Sequence, residues 1–171
     1  MTQELPHKNC YRVAPQLIAG EYPGAAVPDL AQWRIAMHLD AGITSFLDLT
    51  EVGALVPYEA LLATEAQLRQ PTVRYQRMSI EDGSIPQSRD EMEAILNYLD
   101  GEIAAGQTVY LHCWGGIGRT GTVVGCWLVR RGMRGEDALA TLARHWQGVA
   151  KRIYHPHSPE TQQQRDYILR W

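Results

Sequence analysis

The run His-Cys-Trp-Gly-Gly-Ile-Gly-Arg-Thr-Gly at positions 112–121 concentrates more reactive side chains than any other stretch of the sequence. Cys113 is a nucleophile. Arg119, six positions later, carries a planar fork that matches two oxygens of a phosphoryl group. His112 precedes the cysteine, Gly118 precedes the arginine and Thr120 follows it. In a chain of this composition that combination arises by chance with a frequency on the order of 10⁻⁴. Gly115, Gly116 and Gly118 let the backbone approach an anion closely and take up positive φ. Placed between a strand and a helix, such a turn points several backbone N–H groups and the positive end of the helix dipole into one concavity, which is an anion site. Such a field favours the charged form of a thiol at its base. Nucleophile, anion cradle and charge clamp then converge on a single bound anion.

The flanking sequence supplies that strand and that helix. Positions 108–112 read as a short strand rich in β-formers, and 119–131 as a helix whose apolar run suits a buried element. Upstream, strand patterns at 17–19, 43–49 and 73–80 alternate with helical ones. A helix opened by Pro28-Asp29 carries Leu30, Trp33 and Met37, and another spans 59–69. Ser88-Arg-Asp-Glu91 is a capping box, and Met92, Ile95, Leu96, Leu99 and Ile103 after it share one helical face. Helices at 136–146 and 159–170 follow, the last with Ser158 as N-cap and Pro159 at its first position. This alternation predicts one α/β domain over residues 1–171, a central, mostly parallel twisted sheet of four to five strands flanked by helices.

At positions 112–120 the sequence resembles the signature of the cysteine-dependent protein tyrosine phosphatases, His-Cys-x5-Arg-Ser/Thr. The brevity of the chain is similar to the compact dual-specificity branch of that superfamily. Leu17-Ile-Ala-Gly-Glu-Tyr-Pro-Gly24, Gly42-Ile-Thr-Ser-Phe-Leu-Asp-Leu49 and Ser158-Pro-Glu-Thr-Gln-Gln-Gln164 resemble further parts of that branch, so the likeness spans most of the chain. It implies a dual-specificity-phosphatase-like fold and hydrolysis of phosphotyrosine, with phosphoserine and phosphothreonine as further candidates, on a phosphorylated protein or peptide. It implies Cys113 as the nucleophile of a phosphocysteine intermediate and Arg119 as the ligand of the phosphoryl oxygens. Thr120 would hydrogen-bond the departing sulfur and His112 would hold the loop. The backbone of Trp114, Gly115, Gly116, Ile117 and Gly118 would complete the phosphate site. The family also places an aspartate about thirty residues before the cysteine to protonate the leaving oxygen. Asp82 lies 31 positions before Cys113 between Gly83, Pro86 and a preceding strand; Glu81 is its rival, and Asp90 belongs to a helical first turn. Gln164 matches a family glutamine that places the hydrolytic water. No metal or other cofactor is implied.

Other readings explain less. Gly116-Ile-Gly-Arg-Thr-Gly121 also spells the dinucleotide-binding G-x-G-x-x-G. That reading needs a following strand ending in an acidic residue; Glu136 and Asp137 instead open a helix, and His112, Cys113 and Thr120 are left without a role. Sulfur-transfer domains and arsenate reductases do not call for this histidine, arginine and threonine together. A non-catalytic phosphate-binding module would have no need of the nucleophile and acid. The net charge of −3 speaks against nucleic acid as the main partner. Trp114 and Ile117 stand where inositol-polyphosphate enzymes of the family carry lysines, so an inositol phosphate or an RNA 5′ end is the alternative substrate rather than the leading one. No run approaches the roughly 20 apolar residues of a membrane span, and the N-terminus lacks a secretory apolar core. Cys10, Cys113 and Cys126 form no C-x-x-C pair, which points to a reducing compartment, the cytoplasm. Cys10 falls in a polar tail, Cys126 in an apolar helix, and His155-Pro-His157 reads as a solvated loop rather than a metal site. Trp33, Trp127, Trp146 and Trp171 read as packing residues.

Overall fold

The computed structural model of the protein describes residues 4–69 and 72–171. Among these, strands β1 (Cys10–Ala14), β2 (Leu17–Gly20), β3 (Ser45–Asp48), β4 (Arg74–Arg77) and β5 (Val109–His112) form one sheet in the order β1-β2-β5-β3-β4. β1 runs antiparallel to β2, and the other neighbours are parallel. Parallel neighbours need crossovers, which α1 (Pro28–Asp40), α2 (Glu59–Arg69) and α3 (Arg89–Ala104) provide. Helices α4 (Gly118–Arg130), α5 (Gly135–Trp146) and α6 (Gln162–Arg170) follow β5, with one 3₁₀ turn at Ala150–Ile153 before α6.

Strand side chains alternate between two apolar layers, as the pleat requires. Ile18, Phe46 and Tyr110 face one side with Ile35 and Leu39 of α1 and Leu62 and Ala66 of α2. Leu17, Leu47, Val109 and Leu111 face the other, covered by α3 through α6. α4 is buried along nearly its whole length, which accounts for its apolar sequence. It approaches α6 so closely that a Cβ on Gly125 would lie 2.7 Å from Ile168 Cγ1.

Four sequence expectations need correction. β1 was not anticipated, and Cys10 lies in it, buried, rather than in a polar tail. Its thiol donates to His7 O, and burial pushes its pKa up to about 11. The buried face of α1 is Ala31, Ile35, His38 and Leu39, whereas Leu30 and Trp33 are exposed, so Trp33 is not a core residue. α6 starts later than Pro159. Ser158 spends its hydroxyl on Ile117 O, and Thr161 caps the helix in a capping box with Gln164. At α3, Ser88 Oγ does accept from Glu91 N, but the Glu91 carboxylate reaches Gln87 N instead of closing the box. Among the described residues no helix is long and apolar enough to cross a membrane.

Candidate active site

The sheet's register sets the site. His112, the last residue of β5, pairs with Gly20 on one side and Asp48 on the other, so the chain leaves β5 at the carboxyl edge of three parallel strands. Ligands bind at such edges in open α/β sheets. Residues 113–117 then turn directly into α4. Gly116 has φ +71°, and a Cβ there would lie 2.5 Å from Gly20 O and 2.7 Å from Glu21 N. The turn is therefore pressed against the end of β2, and Tyr22 N donates to Trp114 O at 2.9 Å to hold it there. On its other side Ser158 Oγ donates to Ile117 O at 2.7 Å. Lys151 Nζ donates to Gly115 O at 2.8 Å while pairing with Glu21 at 2.6 Å. Carbonyls held outward leave the loop's N–H groups free to point inward. Gly116 N does so, donating to Cys113 Sγ at 3.3 Å.

Beneath the cysteine, His112 is fully buried. The Cys113 carbonyl can only accept, so His112 Nδ1 donates to it at 3.1 Å, and Nε2 takes the Tyr58 hydroxyl at 2.7 Å. Burial lowers the imidazole pKa, with the Asp48 charge pulling it partly back. Asp48 accepts from Thr50 N, Thr50 Oγ1, Tyr75 OH and Arg77 Nη2. Burial alone would raise its pKa, but the His112 charge and the Thr50 and Tyr75 hydrogen bonds outweigh that and lower it.

Arg119, in the first turn of α4, is buried. Its Nη1 donates to Ile80 O at 3.1 Å and its Nη2 pairs with Asp82 Oδ1 at 2.9 Å, while Glu51 stands 3.6 Å from Nη1. Asp82 sits at the corner of a turn closed by Ser84 N donating to Glu81 O, with Gly83 at φ +70°. Asp90 lies in the first turn of α3, as expected. Thr120 Oγ1 is buried with no hydrogen-bond partner among the described residues. Gln164 is fully buried, against Gly118.

Cys113, Trp114, Gly115, Ile117, Gly118, Arg119 and Asp82 share the wall of one cavity of about 320 Å³, with Glu21, Gly83, Lys151, His155 and Glu160 completing it. Glu81 is not in that wall. Sequence reasoning missed Glu21, Glu51, Tyr58, Lys151 and Glu160. Only Asp48, a lone carboxylate in a strand buried at every position, carried a local signal that a polar network lay nearby. Cys126 is buried in α4, with its thiol pKa raised by burial. His155 and His157 are exposed.

A strand, a glycine turn and a helix that cradle a thiol beside a buried arginine define the cysteine-dependent phosphatase class of site. Residues 28–133 match the family described as "Polymorphic toxin system, DSP-PTPase phosphatase". Over 121 residues the chain is 34% identical to a protein of Invertebrate iridescent virus 3 named "Putative tyrosine phosphatase 067L", covering 68% of this chain. The aligned region spans 43% of that viral protein, less than half its length. Among solved structures, Tk-PTP in its active form superposes with a TM-score of 0.72 at 21% identity, covering 94% of this chain and 93% of that one. A cysteine-to-serine form of TpbA from P. aeruginosa, in complex with pTyr, gives 0.66 at 17% identity over 96% and 85% of the two chains. These structures share the fold. The protein belongs to the DSP-PTPase phosphatase family.

Proposed function

We propose that the protein hydrolyses phosphomonoesters, phosphotyrosine on proteins or peptides foremost, through a cysteinyl phosphate. The observation that carries this reading is the meeting of Cys113 and Arg119, from the 112–121 run, with Asp82, from a segment 31 residues upstream, in the wall of one cavity. The Cys113 thiolate attacks phosphorus; the S–P bond forms as the ester P–O bond breaks, and Asp82 gives its proton to the leaving oxygen. Water then attacks phosphorus, its proton passes to the Asp82 carboxylate, and the S–P bond breaks to release phosphate and restore the thiolate. The backbone from Trp114 to Gly118 and the Arg119 fork hold the phosphoryl oxygens, with Arg119 exchanging Asp82 and Glu51 for the substrate. Thr120, whose hydroxyl has no hydrogen-bond partner among the described residues, donates to the sulfur as it departs. His112 holds the loop through the Cys113 carbonyl.

The cavity wall also argues for a substrate with one phosphate. Among the described residues its arginine and lysine are Arg119 and Lys151, with His155 as the one imidazole in the wall, and Lys151 is already paired with Glu21. Glu160 and Asp82 share the same wall, so a second phosphate of an inositol phosphate or an RNA 5′ end meets carboxylates there. Residues 1–171 act as one phosphatase domain. Three unpaired thiols suit the reducing cytoplasm.

Turnover of a phosphotyrosine peptide, with acid-quench trapping of labelled enzyme, tests this reading. The parent should turn over and trap label on Cys113, and Cys113→Ser should do neither. Arg119 and the backbone N–H groups supply the charge stabilisation, so excess chelator should leave the rate unchanged. Turnover by Cys113→Ser would sink the mechanism, and loss on chelation restored by a divalent ion would move the protein to another class.

A further inference from the structure

Gln164, the third residue of α6, is engaged at both ends of its amide. Oε1 accepts from Glu160 N and Thr161 N, each at 3.1 Å, and Nε2 donates to Ser84 O at 3.0 Å, 80 residues away in the chain. The amide also packs on the cradle, since a Cβ on Gly118 would lie 2.9 Å from both Nε2 and Oε1. One buried side chain therefore joins the start of α6, the phosphate loop and the turn that carries Asp82.

That turn is held at two ends. Before Asp82, Ile80 N donates to Leu49 O and Arg119 Nη1 donates to Ile80 O. After Asp82, Gln164 takes Ser84 O, the residue whose N–H closes the turn on Glu81 O. Arg119 also grips Asp82 directly. A phosphoryl group competes for that same guanidinium, so Asp82 loses this partner at the moment it must face the leaving oxygen. The bond from Gln164 to Ser84 does not involve Arg119, so a phosphoryl group on Arg119 does not compete for it.

We propose that Gln164 is a positioning residue for the general acid, holding the Asp82 turn at its productive height above the cradle. The inference rests on the phosphatase reading with Asp82 as acid. It differs from the role implied by the family resemblance, in which this glutamine places the hydrolytic water. A water-placing residue acts in S–P cleavage, after the leaving group has gone; a residue that positions Asp82 acts in P–O cleavage, where the proton is needed.

The two roles separate in Gln164→Glu and Gln164→Met. Glutamate keeps an acceptor for Glu160 N and Thr161 N, and so the helix cap, but cannot donate to Ser84 O; methionine keeps the bulk and loses all three bonds. Each variant is assayed as the full chain on a phosphotyrosine peptide and on aryl phosphates with progressively more acidic phenols. Both substrates are run on one preparation, so their ratio is independent of the folded fraction. In both variants kcat/KM should fall about 10- to 100-fold on the peptide and less than about threefold on the most acidic phenol, which needs little protonation. No burst of phenol should appear. In an Asp82→Ala background, Gln164→Met should add less than about twofold, because the residue acts through the lost acid. Equal losses on all substrates, a burst with phosphocysteine accumulating, or no loss in either variant would each overturn the proposal while leaving the phosphatase reading standing. An inactive parent would instead bring down that reading and this inference with it.

Discussion

Replacing Gly116 by alanine tests whether the end of β2 sets the shape of the phosphate cradle. The new Cβ would meet Gly20 O at 2.5 Å and Glu21 N at 2.7 Å, and would lie closer still to the Gly20 carbonyl carbon. Ordinary carbon contacts begin near roughly 3.5 Å, so the overlap approaches 1 Å against backbone that cannot rotate away. Overpacking of this kind costs about 1–3 kcal/mol, and an alanine at φ +71° adds about 1–2 kcal/mol. Gly116→Ala should therefore lose about 2–5 kcal/mol of stability, read as a shift in denaturation midpoint. Relief requires the loop to lift off β2, carrying Gly116 N away from Cys113 Sγ. A displacement near 1 Å at reacting groups costs on the order of 10² in rate. The control is Gly115→Ala, whose Cβ meets only the Ile117 side chain, at 3.2 Å, and which should change both quantities far less. Parent-like stability and kcat/KM in Gly116→Ala would refute the claim that β2 backs the cradle. A stability loss with kcat/KM unchanged would show that the loop recovers its catalytic shape without that support.

Three further outcomes follow from the same geometry. Arg119→Lys keeps the charge but loses the fork, so kcat/KM should fall by about 3 kcal/mol of transition-state stabilisation; a near-normal value would mean that Arg119 does not touch the phosphoryl group. Asp82→Ala should lower kcat on a phosphotyrosine peptide by about 10²–10⁴, with the defect shrinking as the leaving phenol becomes more acidic, and Glu81→Ala should not; the reverse pattern would move the acid by one residue. His38 is buried between His7, Tyr110 and Phe46, and burial drops its pKa to about 3, partly offset by its bond to Arg34 O. The unfolded chain binds that proton near pH 6.5 and the folded one does not, so stability present above that pH is lost as pH falls toward 3. From pH 7 to 5 His38 should contribute a loss of about 2 kcal/mol, with buried His112 acting in the same direction. Denaturation of His38→Gln should show that part of the slope removed, and an unchanged slope would contradict a neutral His38.

The parts of this protein legible in the sequence are those whose signal is local. The 112–121 run announces the cradle because glycine spacing and side-chain chemistry act within one turn, whereas Asp82 is singled out by the family resemblance, with its place between a strand and a capped helix in accord. Sequence spacing alone favours the wrong face of α1 because Leu30, Trp33 and Met37 hold helical spacing as well as Ala31, Ile35 and Leu39 do. The second face is the one that packs in the core through Ile35 and Leu39, and its buried histidine is accommodated by the rings around it and its bond to Arg34 O. β1 has no clear local signal because Cys-Tyr-Arg-Val-Ala follows a polar stretch, and its pairing with β2 across a bulge is what makes it a strand. The residue type of Ser158 favours a helix cap. The loop carbonyl at Ile117, 41 residues away in the chain, claims its hydroxyl instead. The contacts of Lys151 with Gly115 and of Gln164 with Ser84 have no local signature at all.

Those distant contacts divide the work of the site in a definite way. The glycine turn can bind an anion by itself, since its donors and the helix dipole are local. It cannot fix the orientation of its own carbonyls. Tyr22, Ser158 and Lys151, from three separate segments of the chain, meet those of Trp114, Ile117 and Gly115 and hold them outward. The turn that carries Asp82 is likewise anchored from outside, since Arg119 and Gln164 hold the carbonyls of Ile80 and Ser84 from the cradle side. Sequence near the nucleophile thus decides which chemistry is available, while the ends of β2, the 3₁₀ turn and α6 decide how accurately the reacting groups meet. Substitutions in those outer elements should accordingly change rates through geometry, with the strongest effects where proton delivery to a poor leaving group is the slow event.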